Sequence, residues 1–246
     1  MRIAAFGDLH LTHRPALDKH GADEVALLRF DDHLTRSHDR ILLLGDIFQT
    51  DYGPYPGSRA EVFGAITERY PRIFRRWRAA PCTMLYGNHD RITQGLMGAV
   101  QQVRMVVDGL RMWFIHGHQF DPFIERRGQV PYVVTWMIGG LRRMGWHRLA
   151  DYLEGPLYQA GQRRFPILHG EARQEMIDGA VDLVAMGHSH TIAWRALGKG
   201  LYLNAGDCTT QRMQYLSLDT QTLTAQVRVF TPPNRHAVLL QGILAA

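Results

Sequence analysis

The chain has 246 residues, 46% of them hydrophobic, so it can bury a substantial core and is not an intrinsically disordered protein. Its formal net charge is +5, and nearly all of the positive charge is arginine, because lysine occurs only at Lys19 and Lys199. Guanidinium groups bind phosphate through paired hydrogen bonds, so this balance suits an anionic substrate, a nucleic acid or an acidic membrane surface. It is also compatible with compositional bias alone.

Three features of the sequence favour a cytoplasmic protein. The two cysteines, Cys82 and Cys208, form no CxxC pair, which indicates a reducing compartment. The N-terminal stretch MRIAAFGDLH does not resemble a signal peptide, because a carboxylate interrupts its apolar run. The longest nearly uncharged segment, residues 129–141, is too short to span a bilayer.

The first half of the chain alternates short apolar runs with helical patterns, which predicts a stacked α/β architecture. Strands are predicted over residues 2–7, 41–44 and 83–86. Helices are predicted over residues 23–37 and 58–79, and the second should be broken or kinked at Pro71.

The second half is rich in predicted strands. Residues 103–107 and 111–115 read as a hairpin joined at Asp108-Gly109, which is a strong turn signal. Further strands are predicted over residues 183–186, 191–197, 201–203, 214–218 and 223–230, and the remaining residues form a weakly informative tail. We expect one domain over residues 1–246.

Residues 123–179 interrupt this pattern and are predicted to form an inserted helical cap. Apolar side chains recur there at helical spacing, which is usual for a face packed on the core. The alternative is a cap whose apolar face contacts a lipid chain or a membrane, with arginines at the headgroup level. The stripe comprises Val133, Trp136, Met137, Gly140, Leu141 and Met144.

Five short stretches each place carboxylate, amide or imidazole groups just after a predicted strand. Ligands of open α/β sheets gather outside the carboxyl ends of strands, so five such ends would form a single site. The D-x-H spacing suits this, because alternate residues at a strand end point the same way. A Gly-Asp pair alone is weak evidence, since it is often only a turn. The stretches are GDLH at 7–10, GD at 45–46, GNHD at 87–90, HGH at 116–118 and GHSH at 187–190.

These motifs, in this order, resemble the signature of the calcineurin-like metallophosphoesterases over residues 8–190. The resemblance implies a four-layer α-β-β-α fold, in which a β-sandwich is flanked by helices and carries a two-metal site at one edge. It also implies the ligands: Asp8, His10 and His190 for one ion, Asn88, His116 and His188 for the other, and Asp46 bridging the two.

Two divalent ions would clamp a phosphoryl group while the water that bridges them attacks as hydroxide. The donors are imidazoles and oxygens without thiolates, which points to Mn, Fe, Zn or Co, with Mn favoured. The same resemblance makes His89 a leaving-group acid or transition-state stabiliser, oriented by a hydrogen bond that it donates to Asp90. The alternative for His89 is simple structural support. His13 and His118 match no ligand position of the family.

The stretches GDIFQTDYG, FIHGHQFD and YLNAGDCTTQRMQYLSLD resemble the UDP-2,3-diacylglucosamine pyrophosphohydrolase-like branch, which also inserts a helical cap. This resemblance implies hydrolysis of a lipid-linked pyrophosphate at the inner face of the membrane, with UMP released. Members of that branch often have Arg in place of His89 and Asp in place of His118, which is a departure here. The expected substrate-binding residues are Arg91, Trp136, Met137, Arg163 and Arg164.

Two other functions stay open at this point. The segment ERYPRIFRRWR at 68–78 interleaves arginines with aromatic residues, as a soluble nucleotide or nucleic-acid phosphodiesterase would. It also reads as the solvated face of a helix. A non-catalytic binding scaffold is less favoured, because such relatives typically lose ligands and every ligand position is filled here.

Overall fold

A computed structural model describes residues 1–18, 21, 23–79, 81–121, 124, 129–164, 171–209 and 211–244, except the side chains of 157–164 and 171. In this part of the chain there are twelve strands and seven α-helices. The strands are β1 Arg2–Phe6, β2 Arg40–Leu43, β3 Cys82–Met84, β4 Gln102–Val107, β5 Leu110–Ile115, β6 Leu183–Met186, β7 Ile192–Leu197, β8 Gly200–Ala205, β9 Cys208–Thr209, β10 Arg212–Asp219, β11 Thr224–Thr231 and β12 Arg235–Ile243. The helices are α1 Glu24–Ser37, α2 Arg59–Arg69, α3 Pro71–Trp77, α4 Thr93–Met97, α5 Val130–Arg143, α6 His147–Arg164 and α7 Glu171–Ile177.

The strands form two sheets. The larger has the order β12-β11-β10-β1-β2-β3, with β9 paired to β10, and its strands β1, β2 and β3 are parallel neighbours. The smaller has the order β4-β5-β6-β8-β7, in which β5 and β6 are parallel. The carboxyl ends of β1, β2 and β3 therefore lie along one edge of the first sheet, and those of β5 and β6 along one edge of the second.

Successive side chains of an inner strand point to opposite faces of its sheet, so they belong to different hydrophobic cores. Ile3 and Ala5 of β1 face the second sheet and pack in a cluster with Phe114 and Leu203. This cluster lies between the sheets and excludes water from both inner faces.

The opposite faces of the sheets are covered by helices. Phe6 of β1 packs with Phe30 of α1 and Trp77 of α3, with Phe6 and Phe30 ring centroids 5.1 Å apart. On the second sheet, Trp113 and Tyr202 pack with Met176 of α7. The molecule therefore has the expected four layers, and this fold prediction is confirmed.

Most predicted elements agree with the structure to within two residues. The long helix predicted over 58–79 ends at Arg69 and restarts at Pro71, because proline has no amide proton to continue the helical ladder. The tail, for which the sequence pattern was weakly informative, is also structured. It contains β12, an edge strand that pairs with β11 in antiparallel fashion.

The predicted cap contains α5, α6 and α7. Helix α5 buries Ile138, Gly139 and Arg142, and a Cβ at position 139 would lie 2.6 Å from the ring of Tyr52. Met137 points away from the body and is 58% exposed. The bounds of the cap and the single-domain assignment stay predictions. Among the described residues, no helix is both long and apolar enough to cross a bilayer.

Candidate metal centre

Each of the five motifs follows a strand whose carboxyl end faces the same edge of the sandwich. GDLH follows β1, GD follows β2 and GNHD comes shortly after β3, while HGH follows β5 and GHSH follows β6. Hydrogen bonds tie the two sheets together at this edge. The ring Nδ1 of His116 donates to the carbonyl of Leu44 at 2.7 Å, and the backbone amide of His188 donates to Asp8.

The backbone at these motifs has an unusual conformation. Within the described residues, seven non-glycine residues have positive φ, and five of them carry the expected ligands. Left-handed backbone costs a residue with a Cβ of order 1–3 kcal/mol, so it persists where the surrounding structure demands it and clusters at functional sites. The five are Asp8 at 58°, His10 at 48°, Asp46 at 51°, His188 at 65° and His190 at 54°.

Asp8, His10 and His190 form the first group of potential ligands. One ligand atom from each lies within 4.8 Å of the others. The Nε2 atoms of His10 and His190 are 3.3 Å apart, and Nε2 of His190 is 3.6 Å from the Asp8 carboxylate. A separation of this size suits two imidazoles that share one ion, given metal–nitrogen bonds of roughly 2.0–2.1 Å.

Asp46, His116 and His188 form the second group, with ligand atoms again within 4.8 Å. Oδ2 of Asp46 lies 3.2 Å from Nε2 of His116 without the geometry of a hydrogen bond. Asp46 also belongs to a third such grouping, with His10 and His89, and therefore lies between the first two groups.

Glycines in the motifs allow this close approach. A Cβ at Gly87 would lie 2.2 Å from an Asp46 carboxylate oxygen, and one at Gly187 would lie 2.6 Å from Asp8. Neither distance is compatible with a side chain larger than hydrogen, so the two glycines are required by the packing of the carboxylates.

The electrostatics of the groups match a site built for cations. Asp8 is completely buried, and burial followed by the charge of Asp46 raises the pKa of its carboxyl to about 8, against the opposing effect of His116. Burial would also raise the pKa of Asp46, but His116 and His89 outweigh it and hold that pKa well below its usual range. Two buried carboxylates so close together are stabilised as anions by a positive charge between them.

The donor atoms also fit a metal. Two of them, Oδ1 of Asn88 and Nε2 of His116, are buried without a hydrogen-bond partner among the described residues. Buried polar atoms are normally paired, so unpartnered ones need an explanation such as an ion. Since Nδ1 of His116 already donates to Leu44, its Nε2 is left as the ligand atom.

His89 is oriented by Asp51, and the expectation that Asp90 would do so is wrong. Nδ1 of His89 lies 3.0 Å from Oδ2 of Asp51, whose other oxygen accepts from Arg59 Nε at 2.7 Å. The buried Asp90 carboxylate instead accepts from three backbone amides, those of Gly87, Ile47 and Phe48. These amides close the GNHD turn onto the loop after β2 and leave Asp90 facing away from the imidazole.

The environment of His89 favours its charged form. Burial lowers its pKa, but the carboxylates of Asp46 and Asp51 outweigh burial and raise that pKa to about 9. Nε2 of His89 lies 4.0 Å from Asp46, so the ring borders both ligand groups.

Two further supporting residues had no role in the sequence-based prediction. Oδ2 of Asp121 lies 3.2 Å from Nε2 of His188. This contact engages Nε2 and leaves Nδ1 as the ring nitrogen that could bind an ion. The completely buried Asn204 donates to the carbonyl of Gly187 at 2.7 Å and so holds the GHSH loop. Both lie in stretches that carried the family resemblance, FIHGHQFD and YLNAGD, but nothing in their spacing indicated a contact.

The expected substrate-binding residues occupy different environments. Arg91 is exposed next to the GNHD turn, and Met137 is exposed on α5. Trp136 is half-buried, and its Nε1 donates to the carbonyl of Gly53 at 3.0 Å. Arg163 and Arg164 fall at the end of α6, where the side chains lie outside the described residues.

Comparison with known proteins identifies the family to which this chain belongs. The family model for calcineurin-like phosphoesterases matches residues 1–191, so the chain belongs to the calcineurin-like phosphoesterase family. Membership implies metal-dependent phosphoester chemistry and agrees with the geometry of the ligand groups. No match was found among curated proteins.

Solved structures share the fold. Vps29 from Chaetomium thermophilum is 13% identical with a TM-score of 0.50, covering 99% of this chain and 98% of that one, and this likeness shows a common fold. Vps29 from Entamoeba histolytica, solved in complex with Zn²⁺, is 16% identical with a TM-score of 0.48, covering 99% of both chains. A Streptococcus pneumoniae protein described as a predicted phosphoesterase is 14% identical with a TM-score of 0.46, covering 100% of this chain and 97% of that one.

Proposed function

We propose that this protein is a dinuclear metal-dependent phosphoesterase that hydrolyses the pyrophosphate of a lipid-linked nucleotide sugar, resembling UDP-2,3-diacylglucosamine. The observation that carries the chemical part is the convergence of two ligand groups around the buried Asp46 carboxylate. A shared carboxylate offsets the repulsion between two cations held close together, which is the usual arrangement in dinuclear hydrolases.

Each ion has its own ligands under this proposal. Asp8, His10 and His190 would hold one ion and Asn88, His116 and His188 the other, with Asp46 shared by the two groups. The chemistry that such ions would supply is polarisation of the phosphoryl group and a lowered pKa of the attacking water. Imidazole and oxygen donors without thiolates are compatible with Mn, Fe, Zn and Co, and of these we propose Mn.

His89 acts on the leaving group. Its Nδ1 is engaged by Asp51, which keeps the opposite nitrogen, Nε2, on the side of the ligand groups. A proton held at Nε2 can pass to the leaving oxygen as the phosphorus–oxygen bond breaks. Asp51 keeps the ring in the orientation that this transfer needs.

The lipid part of the proposal is supported by an exposed apolar surface on the cap, here called the cap surface. Its side chains are between 42% and 75% exposed, and groups of exposed apolar side chains are typical of surfaces that bind a partner or a membrane. Arginines near it would meet anionic headgroups during peripheral contact with a membrane. The cap surface comprises Val130, Val133, Met137, Met144, Trp146, Leu149, Tyr152 and Leu153.

Helix α5 of the cap is connected to the ligand groups through a short chain of contacts. Tyr132 on α5 stacks under the guanidinium of Arg59, 3.9 Å from its ring centroid. Arg59 in turn binds Asp51, which holds His89. An acyl chain on the cap surface and a phosphoryl group at the ligand groups are thus compatible with one substrate.

The nucleic-acid alternative has less support. Two of the five arginines in segment 68–78 are ion-paired among the described residues, Arg76 with Asp31 and Asp32 and Arg69 with Asp18. Arginines neutralised in this way contribute little to binding a phosphate backbone. We therefore favour the lipid-linked substrate.

The test compares turnover of the Mn-loaded protein on a UDP-linked diacylated glucosamine and on bis-p-nitrophenyl phosphate. Met137→Asp places a charge on the cap surface and should lower the ratio of the first turnover to the second roughly tenfold or more. The matched control is Val106→Asp, since Val106 is 70% exposed on β4, outside the cap. If the protein hydrolyses only the small diester, the assignment as a metallophosphoesterase stands and the lipid-linked substrate is ruled out.

A further inference from the structure

A cluster of basic side chains lies where the segment after the ligand His10 meets α5 of the cap. His13 follows the ligand His10 by three residues, and Arg14 follows His13. The short 3-10 helix Pro15–Leu17 comes next and packs against α5 of the cap. Arg143, at the end of α5, is thereby brought to the same place.

Arg143 is fixed in position. Its Nη1 donates to the carbonyl of Tyr52 at 3.1 Å, and Tyr52 directly follows Asp51, the partner of His89. The side chain is half-buried, and one hydrogen bond to a carbonyl leaves most of its five N–H donors available.

Among the described residues, no carboxylate lies within ion-pair distance of Arg14 or Arg143. Neighbouring arginines differ: Arg142 binds Asp151 and Glu154 within the cap, and Arg59 binds Asp51. Two guanidinium groups so placed repel each other, and the charge of Arg14 contributes, after burial, to a lowered pKa of Arg143.

His13 completes the cluster. Its Nδ1 is buried and has no hydrogen-bond partner among the described residues. Burial, then the charges of Arg14, Arg143 and Arg69, lower its pKa to about 4, so the ring is neutral near pH 7. Unsatisfied donors and uncompensated positive charge both favour an anion at this place.

We infer that Arg14, Arg143 and His13 form an anion subsite that binds a second phosphate group of the substrate, beside the phosphoryl group held at the ligand groups. The inference rests on the proposed function, because it assumes that the first phosphoryl group binds there. It favours substrates with two linked phosphates, such as pyrophosphate diesters, over simple phosphodiesters. Arginine pairs suit this task because each guanidinium can bind two phosphate oxygens at once.

The experiment is calorimetric titration of the Mn-loaded protein with α,β-methylene-ADP and with AMP, which differ by one phosphate-like group and are compared without turnover. The native protein should bind the first roughly tenfold more tightly, as expected for one charge-assisted contact. Arg14→Gln and Arg143→Gln should each remove most of that preference. Arg14 is exposed, so its replacement should not disturb folding even if that of Arg143 does.

Arg148→Gln is the matched control, because Arg148 is exposed on α6 of the same cap and should leave the preference unchanged. Equal affinity of the native protein for both ligands, or an unchanged preference in both variants, would overturn the subsite. Hydrolysis of bis-p-nitrophenyl phosphate by the native protein is measured in parallel. If hydrolysis is absent while the preference persists, the proposed function fails and the subsite stands.

Discussion

His89 and Asp51 form the contact that most constrains the chemistry of this site, with Nδ1 of the imidazole 3.0 Å from Oδ2 of the carboxylate. Asp51 is itself buried and held by Arg59, whose guanidinium lies over the ring of Tyr132 on the cap. The orientation of His89 therefore depends on a chain of contacts that reaches the cap, and not on its sequence neighbour Asp90.

Replacing Asp51 should slow the reaction without removing the metals. In Asp51→Asn the single amide oxygen cannot accept from both Nδ1–H of His89 and Nε–H of Arg59, as the two carboxylate oxygens do, so His89 loses its fixed orientation. Partners of this kind typically contribute a factor of roughly 10–100. We expect that loss in kcat on bis-p-nitrophenyl phosphate, with metal content by mass spectrometry unchanged. Loss of the ions together with activity would show that Asp51 supports the ligands instead.

Replacing Asp90 should act mainly on stability. In Asp90→Ala the amides of Gly87, Ile47 and Phe48 lose their acceptor in a buried place. Each unsatisfied buried donor costs about 1–3 kcal/mol, so we expect a loss of roughly 3 kcal/mol or more in the free energy of unfolding, measured by urea denaturation. Asp90→Asn keeps one acceptor oxygen and should cost less. A fully stable Asp90→Ala protein would contradict the role assigned to this carboxylate.

Metal binding should stabilise the folded protein. The ligand groups are assembled only in the fold, so an ion that binds them adds RT ln(1 + [L]/Kd), about 2.7 kcal/mol at a hundredfold excess over Kd. We expect Mn²⁺ to raise the Tm of chelator-treated protein, and Asp46→Ala to abolish most of that rise. An equal rise in both proteins would place the stabilising ion elsewhere.

Stability should fall in mild acid, partly through His33 on α1. Burial, followed by His236 and Arg228, lowers the pKa of His33 from 6.5 to about 4. Between those values the unfolded chain binds a proton that the folded protein does not, so stability decreases as the pH falls through this window. The native protein should lose free energy of unfolding between pH 7.5 and pH 5. In His33→Gln this loss should be smaller by about 1 kcal/mol, allowing for the partial exposure of His33.

The control for this pH effect is His147→Gln, since His147 is exposed at the start of α6. Urea denaturation at both pH values gives the comparison. A pH dependence of stability that is identical in the native protein and in His33→Gln would mean that His33 titrates normally.

The positions of the ligand motifs were predictable from the sequence because strand ends in parallel sheets share an edge. Asp8, Asp46 and His188 each follow an apolar run closely, and the structure brings them together. What sequence reasoning lacked was side-chain direction within a turn. Asp90 is adjacent to His89, yet the turn directs its carboxylate to backbone amides, while Asp51 arrives from the loop after β2.

The edge strand β12 was missed for a different reason. Most of its residues are exposed, so it has no clean alternation of apolar and polar side chains. Its structure depends on pairing with β11, which is a tertiary interaction. The cluster of Arg14 and Arg143 was equally hidden, since 129 residues separate them in sequence and only the packing of α5 brings them together.

The most direct test of a dinuclear site is metal content and bis-p-nitrophenyl phosphate turnover, measured on the same Mn-loaded samples of the native protein and Asp46→Ala. We expect two ions per native chain with turnover that a chelator abolishes, and the loss of both ions and activity in the variant. Two bound ions and undiminished turnover in Asp46→Ala would contradict the shared carboxylate. If the native protein binds its ions but hydrolyses no phosphodiester, the protein is a non-catalytic metal-binding scaffold and the proposed activity is wrong.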